Sequence, residues 1–359
     1  MRVLMNLNSL TTPHLTGIGT YITQLCKGLR QEQDLQLLGA LKISRWGQRR
    51  QVYRHLSLPV VMEEVALLAP WAFEIYHGPD FRIPKTKRLK KVVTVHDFVT
   101  FQSGLVDPRF EKAGQEELNL VLRRNLPDWV IVNSNWTKTE LLKFYPEFED
   151  RISTTLLGCD HLPNLQTLTS QAKESWPHQV LPLGQPYFLF VGTLEERKNL
   201  RRILASFLKF RENNPDFKLV LIGNRGYQGE EFFKQIQAQP TAFVYPGFTD
   251  WGDLQKLYAN ARALFFPSLY EGFGIPIIEA MRLGCPVITS KRGVMTEIGS
   301  GAAHLVDPEK EAELVHSLEL LGRDESLRRT LVNQGITRSE FFSWQKCARE
   351  TFKAYGSVL

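Results

Sequence analysis

Short runs of aliphatic and β-branched residues alternate along the whole chain with longer segments of helical period. The runs that read as strands are Val3–Leu7, Val92–Val95, Trp129–Val132, Phe188–Val191, Leu219–Ile222, Leu264–Phe266 and Val287–Thr289. They are almost continuously apolar rather than alternating, the pattern of strands covered on both faces in a parallel sheet. The clearest helix opens near Ile18 and sets Ile18, Tyr21, Ile22, Leu25, Cys26 and Leu29 on one stripe. A βαβα alternation of this length predicts an α/β protein with doubly wound sheets.

The alternation breaks between Gly158 and Pro186, where Pro163, Pro177, Pro182 and Pro186 stand among polar residues. This reads as an inter-domain connection, 166–185, between a first domain over 1–165 and a second over 186–340. The chain has 359 residues, and at ~150 residues per domain it holds about two domains. Two such sheets imply a ligand site at the carboxyl ends of their strands, in a cleft between the domains.

Composition adds exclusions. With 43% hydrophobic and 23% charged residues the chain fits an ordinary globular protein, not a low-complexity one. The four cysteines, Cys26, Cys159, Cys285 and Cys347, are scattered without CxxC spacing, which argues against a zinc ribbon or disulfide framework and suits a reducing, cytoplasmic setting. The stretch Met1–Leu7 is too short and too soon polar for a signal peptide, and no apolar run approaches the ~18–20 residues that span a bilayer. The net charge is +6. It gathers in Lys42, Arg45, Arg49, Arg50 and Arg54, and in Arg82, Lys85, Lys87, Arg88, Lys90 and Lys91. These are either a solvated basic face or a contact for an acidic surface such as the inner face of the membrane. No interleaved aromatic–basic element points to nucleic acid.

The most informative segment runs from Phe266 to Ala280. A strand ends at Phe266, a loop with Gly272 and Gly274 follows, and Pro276 falls where a helix begins, a position proline favours. Such a loop feeding a helix start offers amides to an anion, phosphate above all. Glu271 and Glu279 stand eight residues apart. They either accept hydrogen bonds from sugar hydroxyls or merely favour the positive helix end. A second candidate is Gly192-Thr193-Leu194-Glu195-Glu196-Arg197-Lys198-Asn199, where Arg197 and Lys198 sit at a strand-to-helix junction. Cations there fit a diphosphate, or else an exposed turn neutralised by Glu195 and Glu196. In the first domain, Gly17 and Gly19 offer amides at a helix start without the third glycine of a dinucleotide fingerprint, and strand Val92–Val95 runs into His96 and Asp97. The chain has no GxxxxGK[ST] loop, GxSxG elbow or D-x-D motif, so positive charge for a diphosphate falls to helix ends, Arg197 and Lys198.

Taken together, Thr16–Gly19, His96-Asp97, Val132–Thr137, Val191–Asn199, Tyr245–Phe248, the E-x7-E segment Pro267–Ala280, Gly284–Ile288 and Leu305–Pro308 resemble the retaining, nucleotide-sugar-dependent glycosyltransferases of family 4, with the GT-B fold. The resemblance implies two Rossmann-like domains facing across a cleft, with the segment 341–359 as a terminal helix returning to the first, Trp344, Ala348, Thr351 and Tyr355 on one face. It implies a donor held by the second domain and a glycan or lipid-linked acceptor by the first. Glu279 would bind the ribose, Glu271 the transferred sugar, and Gly272, Phe273 and Gly274 the sugar and diphosphate. Lys198 with Arg197 would hold the diphosphate and stabilise the leaving group, Gly192 and Thr193 would approach the donor, Gly17 and Gly19 would approach the phosphates or the acceptor from the other domain, His96 would sit beside the reacting sugar, and Gly247 with Phe248 near the base. Relatives carry Arg where this chain has Thr193, and Arg197 is the expected substitute. The resemblance further implies a hexosyltransferase of bacterial surface polysaccharide or lipopolysaccharide synthesis, leaning to GDP-mannose with a UDP-sugar next, without cofactor or essential metal. The competing readings are a nucleotide-sugar-binding scaffold that has lost turnover, and a phosphorylase or epimerase of the same fold.

Overall fold

The computed structural model describes residues 1–12, 15–163, 181–182, 184–247 and 249–359, so most of the expected linker 166–185, and Phe248, lie outside the described residues. The chain divides into two compact units, one of Met1–Phe101, Arg109–His161 and Ser343–Leu359, the other of Gln102–Pro108 and Leu162–Phe342.

In the first unit, among the described residues, the strands β1 (Arg2–Asn6), β2 (Gln36–Leu41), β3 (Val60–Met62), β4 (Ile75–Gly78), β5 (Lys90–Val95), β6 (Trp129–Val132) and β7 (Ile152–Thr154) form one sheet in the order β3-β2-β1-β4-β5-β6-β7. All pairings are parallel, with Val3 opposite Leu37 on one side and Ile75 on the other. The order reverses between β1 and β4, the switch point at which such sheets bind ligands. The helices are α1 (Gly17–Leu29), α2 (Arg49–His55), α3 (Glu63–Ala66), α4 (Pro108–Asn119) and α5 (Asn135–Phe144). α1 carries the expected stripe: Tyr21, Ile22, Leu25, Cys26 and Leu29 are buried, and only Ile18 is partly open.

In the second unit, β8 (Tyr187–Val191), β9 (Lys218–Ile222), β10 (Phe243–Gly247), β11 (Leu264–Phe266), β12 (Val287–Ser290) and β13 (His304–Val306) pair in parallel in the order β10-β9-β8-β11-β12-β13. Its helices are α6 (Leu200–Arg211), α7 (Gly229–Gln237), α8 (Trp251–Asn260), α9 (Ile275–Arg282), α10 (Gly293–Gly299), α11 (Glu311–Arg323) and α12 (Glu325–Ser339). Both sheets thus have the same doubly wound order, with β8 and β11 flanking the second switch point.

The last helix, α13 (Trp344–Gly356), belongs to the first unit. Its expected face is buried: Trp344, Ala348, Thr351 and Tyr355 are all nearly inaccessible. Ser343 caps it by accepting from the Lys346 amide, and the Asp160 carboxylate accepts from the Trp344 amide (2.8 Å) and the Ser343 hydroxyl (2.7 Å). α13 lies so close to α1 that a Cβ on Gly28 would come within 2.5 Å of the Ala348 Cβ. Tyr355 reaches His77 Nδ1 at 2.6 Å, and His77 Nε2 meets the Thr94 hydroxyl at 2.9 Å. Burial pushes His77 down to about 3, so it is a neutral structural bridge between helix and sheet.

The strands absent from the expectations, β2, β3, β4, β7, β10 and β13, are edge strands or carry polar residues or glycine (His77 and Gly78 in β4, Ser153 in β7). Their strand character comes from neighbours that supply hydrogen bonds, not from local apolar runs.

Candidate active site

In the second unit the functional loops leave the carboxyl ends of β8, β9 and β11. After β8 the chain makes a single 3-10 turn, Glu196–Lys198, and Asn199 then adopts a left-handed conformation (φ 64°, ψ 30°) before α6. Asn tolerates that region better than most residues. Here its fully buried amide also donates to the Pro267 carbonyl (3.0 Å) and the Pro308 carbonyl (2.7 Å). The Leu269 amide donates to the Arg197 carbonyl at 2.9 Å. These bonds tie the loop after β8 to the loop after β11, which the sequence had offered as two separate candidates.

The result is a buried charge cluster. Lys198 Nζ lies 2.5 Å from Glu271 Oε1 and 4.9 Å from the Phe266 ring centroid, while Arg197 Nη1 reaches Glu271 Oε2 at 3.1 Å and its Nε reaches Glu195 at 2.7 Å. Lys198 and Glu271 are only 8% and 6% exposed at the side chain. Burial works to raise the Glu271 carboxyl, but Lys198 and Arg197 outweigh it and hold the group below the usual range. Burial, with Arg197 beside it, lowers the Lys198 ammonium. Gly192, at φ +155°, lies beside this lysine, and a Cβ there would meet Lys198 Cε at an ordinary contact distance of 3.5 Å, so the backbone conformation rather than space asks for glycine. Thr193 follows in the same turn. So Glu195 does neutralise Arg197, as the plainer reading of the turn required, yet both cations also converge on the carboxylate expected to meet the sugar.

Gly274 stands before α9 at φ +93°, a conformation a side chain would strain, and no side chain caps the helix. The uncapped start follows Gly272 and Phe273, so the backbone there presents a positive pole of the kind that binds phosphate. One turn into α9, Glu279 has a different environment from Glu271. It is 6% exposed, and among the described residues its side-chain partner is the Tyr258 hydroxyl of α8, which donates to Oε2 at 2.9 Å. Burial without a cation raises its carboxyl to about 7.

Gly247 ends β10 at φ +79° and, with Asn224, Arg225, Phe233, Tyr245 and Pro246, lines a hollow of about 420 Å³. The Arg225 guanidinium stacks 3.4 Å from the Phe233 centroid, and the Tyr245 hydroxyl donates to the Gly223 carbonyl at 2.7 Å. Phe248, expected beside Gly247, lies outside the described residues.

The remaining expected residues lie in the first unit. Gly17 and Gly19 do open α1, but the Gly19 amide is taken by the Thr16 side chain (3.3 Å), so it is not the bare amide anticipated. His96 follows β5; its Nε2 meets the Pro79 carbonyl at 2.7 Å, and its ring packs edge-on to Tyr21. Because a carbonyl only accepts, Nε2 carries the hydrogen and Nδ1 is left as an acceptor. Burial lowers this imidazole, favouring the neutral form. The basic stretch after β4 is partly structural: Lys91 is buried and donates to the Asn125 carbonyl, whereas Lys85, Lys87 and Arg88 are exposed.

Sequence reasoning missed Tyr258, Asn199 as an organiser, and the Arg225–Phe233 hollow. Tyr258 stands at helical spacing with Leu254 and Leu257 and reads as core. Asn directly before a helical stripe is the one local signal that was present for Asn199.

Among the described residues no group of three or more His, Cys, Asp or Glu side chains could hold a metal ion, and no helix is long and apolar enough to cross a membrane. The family described as Glycosyl transferases group 1 matches residues 172–338. Across nearly the full length the chain is 31% identical to O-antigen chain mannosyltransferase B of Escherichia coli, covering 95% of this chain and 96% of that protein. Among solved structures, HepE of Anabaena in complex with UDP superimposes with a TM-score of 0.78 at 16% identity, covering 99% of each chain. Sucrose-phosphate synthase of Thermosynechococcus elongatus gives 0.77 at 18%, over 99% of this chain and 98% of that one. Two Rossmann-like units together with these matches define a glycosyltransferase of the GT-B fold. Within that class the chain belongs to the group 1 glycosyl transferases.

Proposed function

We propose that the protein transfers a mannosyl group from GDP-mannose, with retention at the anomeric carbon and without an essential metal, onto a glycan acceptor of O-antigen or lipopolysaccharide synthesis. The full-length identity with the Escherichia coli O-antigen mannosyltransferase carries this reading. On this reading the second unit holds the donor. Glu279 accepts from the ribose hydroxyls, the uncapped start of α9 and the Lys198–Arg197 pair face the diphosphate, and Glu271 turns to the sugar hydroxyls. Departure of the nucleoside diphosphate concentrates negative charge on its terminal oxygens, and preorganised cations stabilise that charge without reorganising. The sugar left behind is oxocarbenium-like, and a depressed, ionised Glu271 nearby offsets its positive charge.

Incubation with GDP, UDP and their sugars tests the donor, because a ligand that binds only the folded state raises the melting temperature. GDP and GDP-mannose are expected to raise it by several degrees, and GDP-mannose to be turned over with a mannose-terminated acceptor to an α-anomer visible by NMR. Turnover with a UDP-sugar alone would reassign the donor. Tight nucleotide binding with no transfer from any donor would favour the scaffold instead.

The first unit is further proposed to rest on the inner face of the membrane. Exposed Ile43, Val65, Leu68 and Trp71 stand on the segments after β2 and β3, beside exposed Lys42, Arg45, Arg50 and Arg54. The Ile43 amide donates to Glu64 at 2.9 Å, joining the two segments. Exposed apolar side chains and basic ones on two joined segments match an anionic lipid surface, each basic residue contributing about 1 kcal/mol near it. Sedimentation with vesicles should therefore rise with phosphatidylglycerol content and fall with salt. Binding equal to neutral vesicles would refute the assignment.

A further inference from the structure

Tyr258 does something that its place in the core does not require. It lies on the buried side of α8 with Leu254 and Leu257, and its ring is wholly inaccessible. Phenylalanine would serve that packing. A buried hydroxyl is costly unless it is bonded, and among the described residues its partner is Glu279 Oε2 at 2.9 Å. Glu279 in turn has no ion pair among the described residues, in contrast to Glu271 with its two cations. Since a carboxylate only accepts, the tyrosine donates and fixes the carboxylate rotation. Among the described residues Oε1 has no hydrogen-bond partner, and the residue keeps 6% of its surface exposed. The neighbouring ionisable groups are Cys285, a buried thiol pushed up to about 12 and therefore neutral, and Arg328 of α12, which acts on Cys285.

We propose that Tyr258 is a positioning residue for the donor: its hydroxyl holds one oxygen of Glu279 so that the other is presented to the ribose hydroxyls of the nucleotide. The inference rests on the ribose reading of Glu279. Without the tyrosine, the carboxyl rotates freely and takes up a proton more readily, and both effects weaken its acceptance of hydroxyl hydrogens.

Binding of GDP and of 2′,3′-dideoxy-GDP, or the UDP pair if uridine binds better, is measured by calorimetry between pH 5.5 and 8.5 for the wild type and Tyr258→Phe. The preference for the ribose form is expected to fall about five- to tenfold in the variant, about the worth of one ordinary hydrogen bond, because the ribose contact is weakened rather than removed. The dideoxy affinity, which reports an intact fold, stays unchanged. The pH at which ribonucleotide affinity is half lost moves upward, because the bond that favoured the ionised form has gone. In a Glu279→Gln background, Tyr258→Phe should leave the preference alone. A variant with the wild-type preference and pH profile overturns the proposal. So does a wild type indifferent to the ribose, whereas a protein binding no nucleotide at all would overturn the donor assignment itself.

Discussion

Lys198→Met lowers mannosyl transfer by about 10²–10³-fold and destabilises the second unit, and the two effects separate in a double variant. The first effect follows from the position of the ammonium, a fixed charge in a dry site where removing one preorganised donor typically costs that much in kcat. The second follows from the pair it breaks. Lys198 and Glu271 are both buried at 2.5 Å, and removing one member of such a pair leaves an uncompensated charge at about 3–5 kcal/mol. Arg197 remains at 3.1 Å from the other carboxylate oxygen, which places the expected loss near the lower end. Adding Glu271→Gln removes the orphaned charge, so stability returns toward the wild type while transfer does not. Lys198→Arg should not rescue activity, because a larger planar guanidinium does not reproduce a compact ammonium held 2.5 Å from Glu271 and 4.9 Å from the Phe266 ring in a buried site. Thermal melts and steady-state transfer on the four proteins check this. Wild-type turnover in Lys198→Met would remove Lys198 from the chemistry.

Glu279→Gln makes the protein more stable and the enzyme worse. The Glu279 carboxyl is raised from the ordinary 4.5 to about 7, by burial, with the Tyr258 bond acting weakly in the opposite direction. A folded-state value above the unfolded one means the fold prefers the protonated group. Its favourable contribution is therefore complete below about pH 4.5 and is lost as pH climbs through 7. The shift corresponds to about 3 kcal/mol. Glutamine carries no such loss, so the two proteins should melt alike near pH 5 and diverge by several degrees at pH 8, with the variant higher. Nucleotide affinity should move the other way, down about 10–100-fold, since a hydrogen bond to a charged acceptor is replaced by one to an amide. Melting curves that run parallel from pH 5 to 8 would show that the carboxylate costs the fold nothing. An unchanged nucleotide affinity would end the ribose assignment. Opposite signs in stability and binding mark a group retained for function against the preference of the fold.

Much of this protein was determined by local sequence. The central strands β1, β5, β6, β8, β9, β11 and β12 are continuous apolar runs because both faces of a parallel sheet are covered, and that pattern survives without knowledge of the neighbours. α1 and the buried face of α13 follow from helical period alone. The pairing of glycines with Pro276 marked the start of α9, because positive φ and a missing amide are local backbone demands that few other residues meet.

Tertiary structure decided what no local pattern encodes. The edge strands exist only because a neighbour supplies hydrogen bonds. The convergence of Arg197, Lys198 and Glu271 depends on Asn199 bridging two loops some seventy to a hundred residues away in sequence. The difference between two carboxylates eight residues apart was likewise invisible. Sequence assigned Glu271 and Glu279 different partners but the same charge, whereas one lies against two cations and stays ionised, while the other is buried against a tyrosine and holds its proton to about pH 7. A side chain's charge state depends on what surrounds it in space, and that is fixed only when distant segments pack.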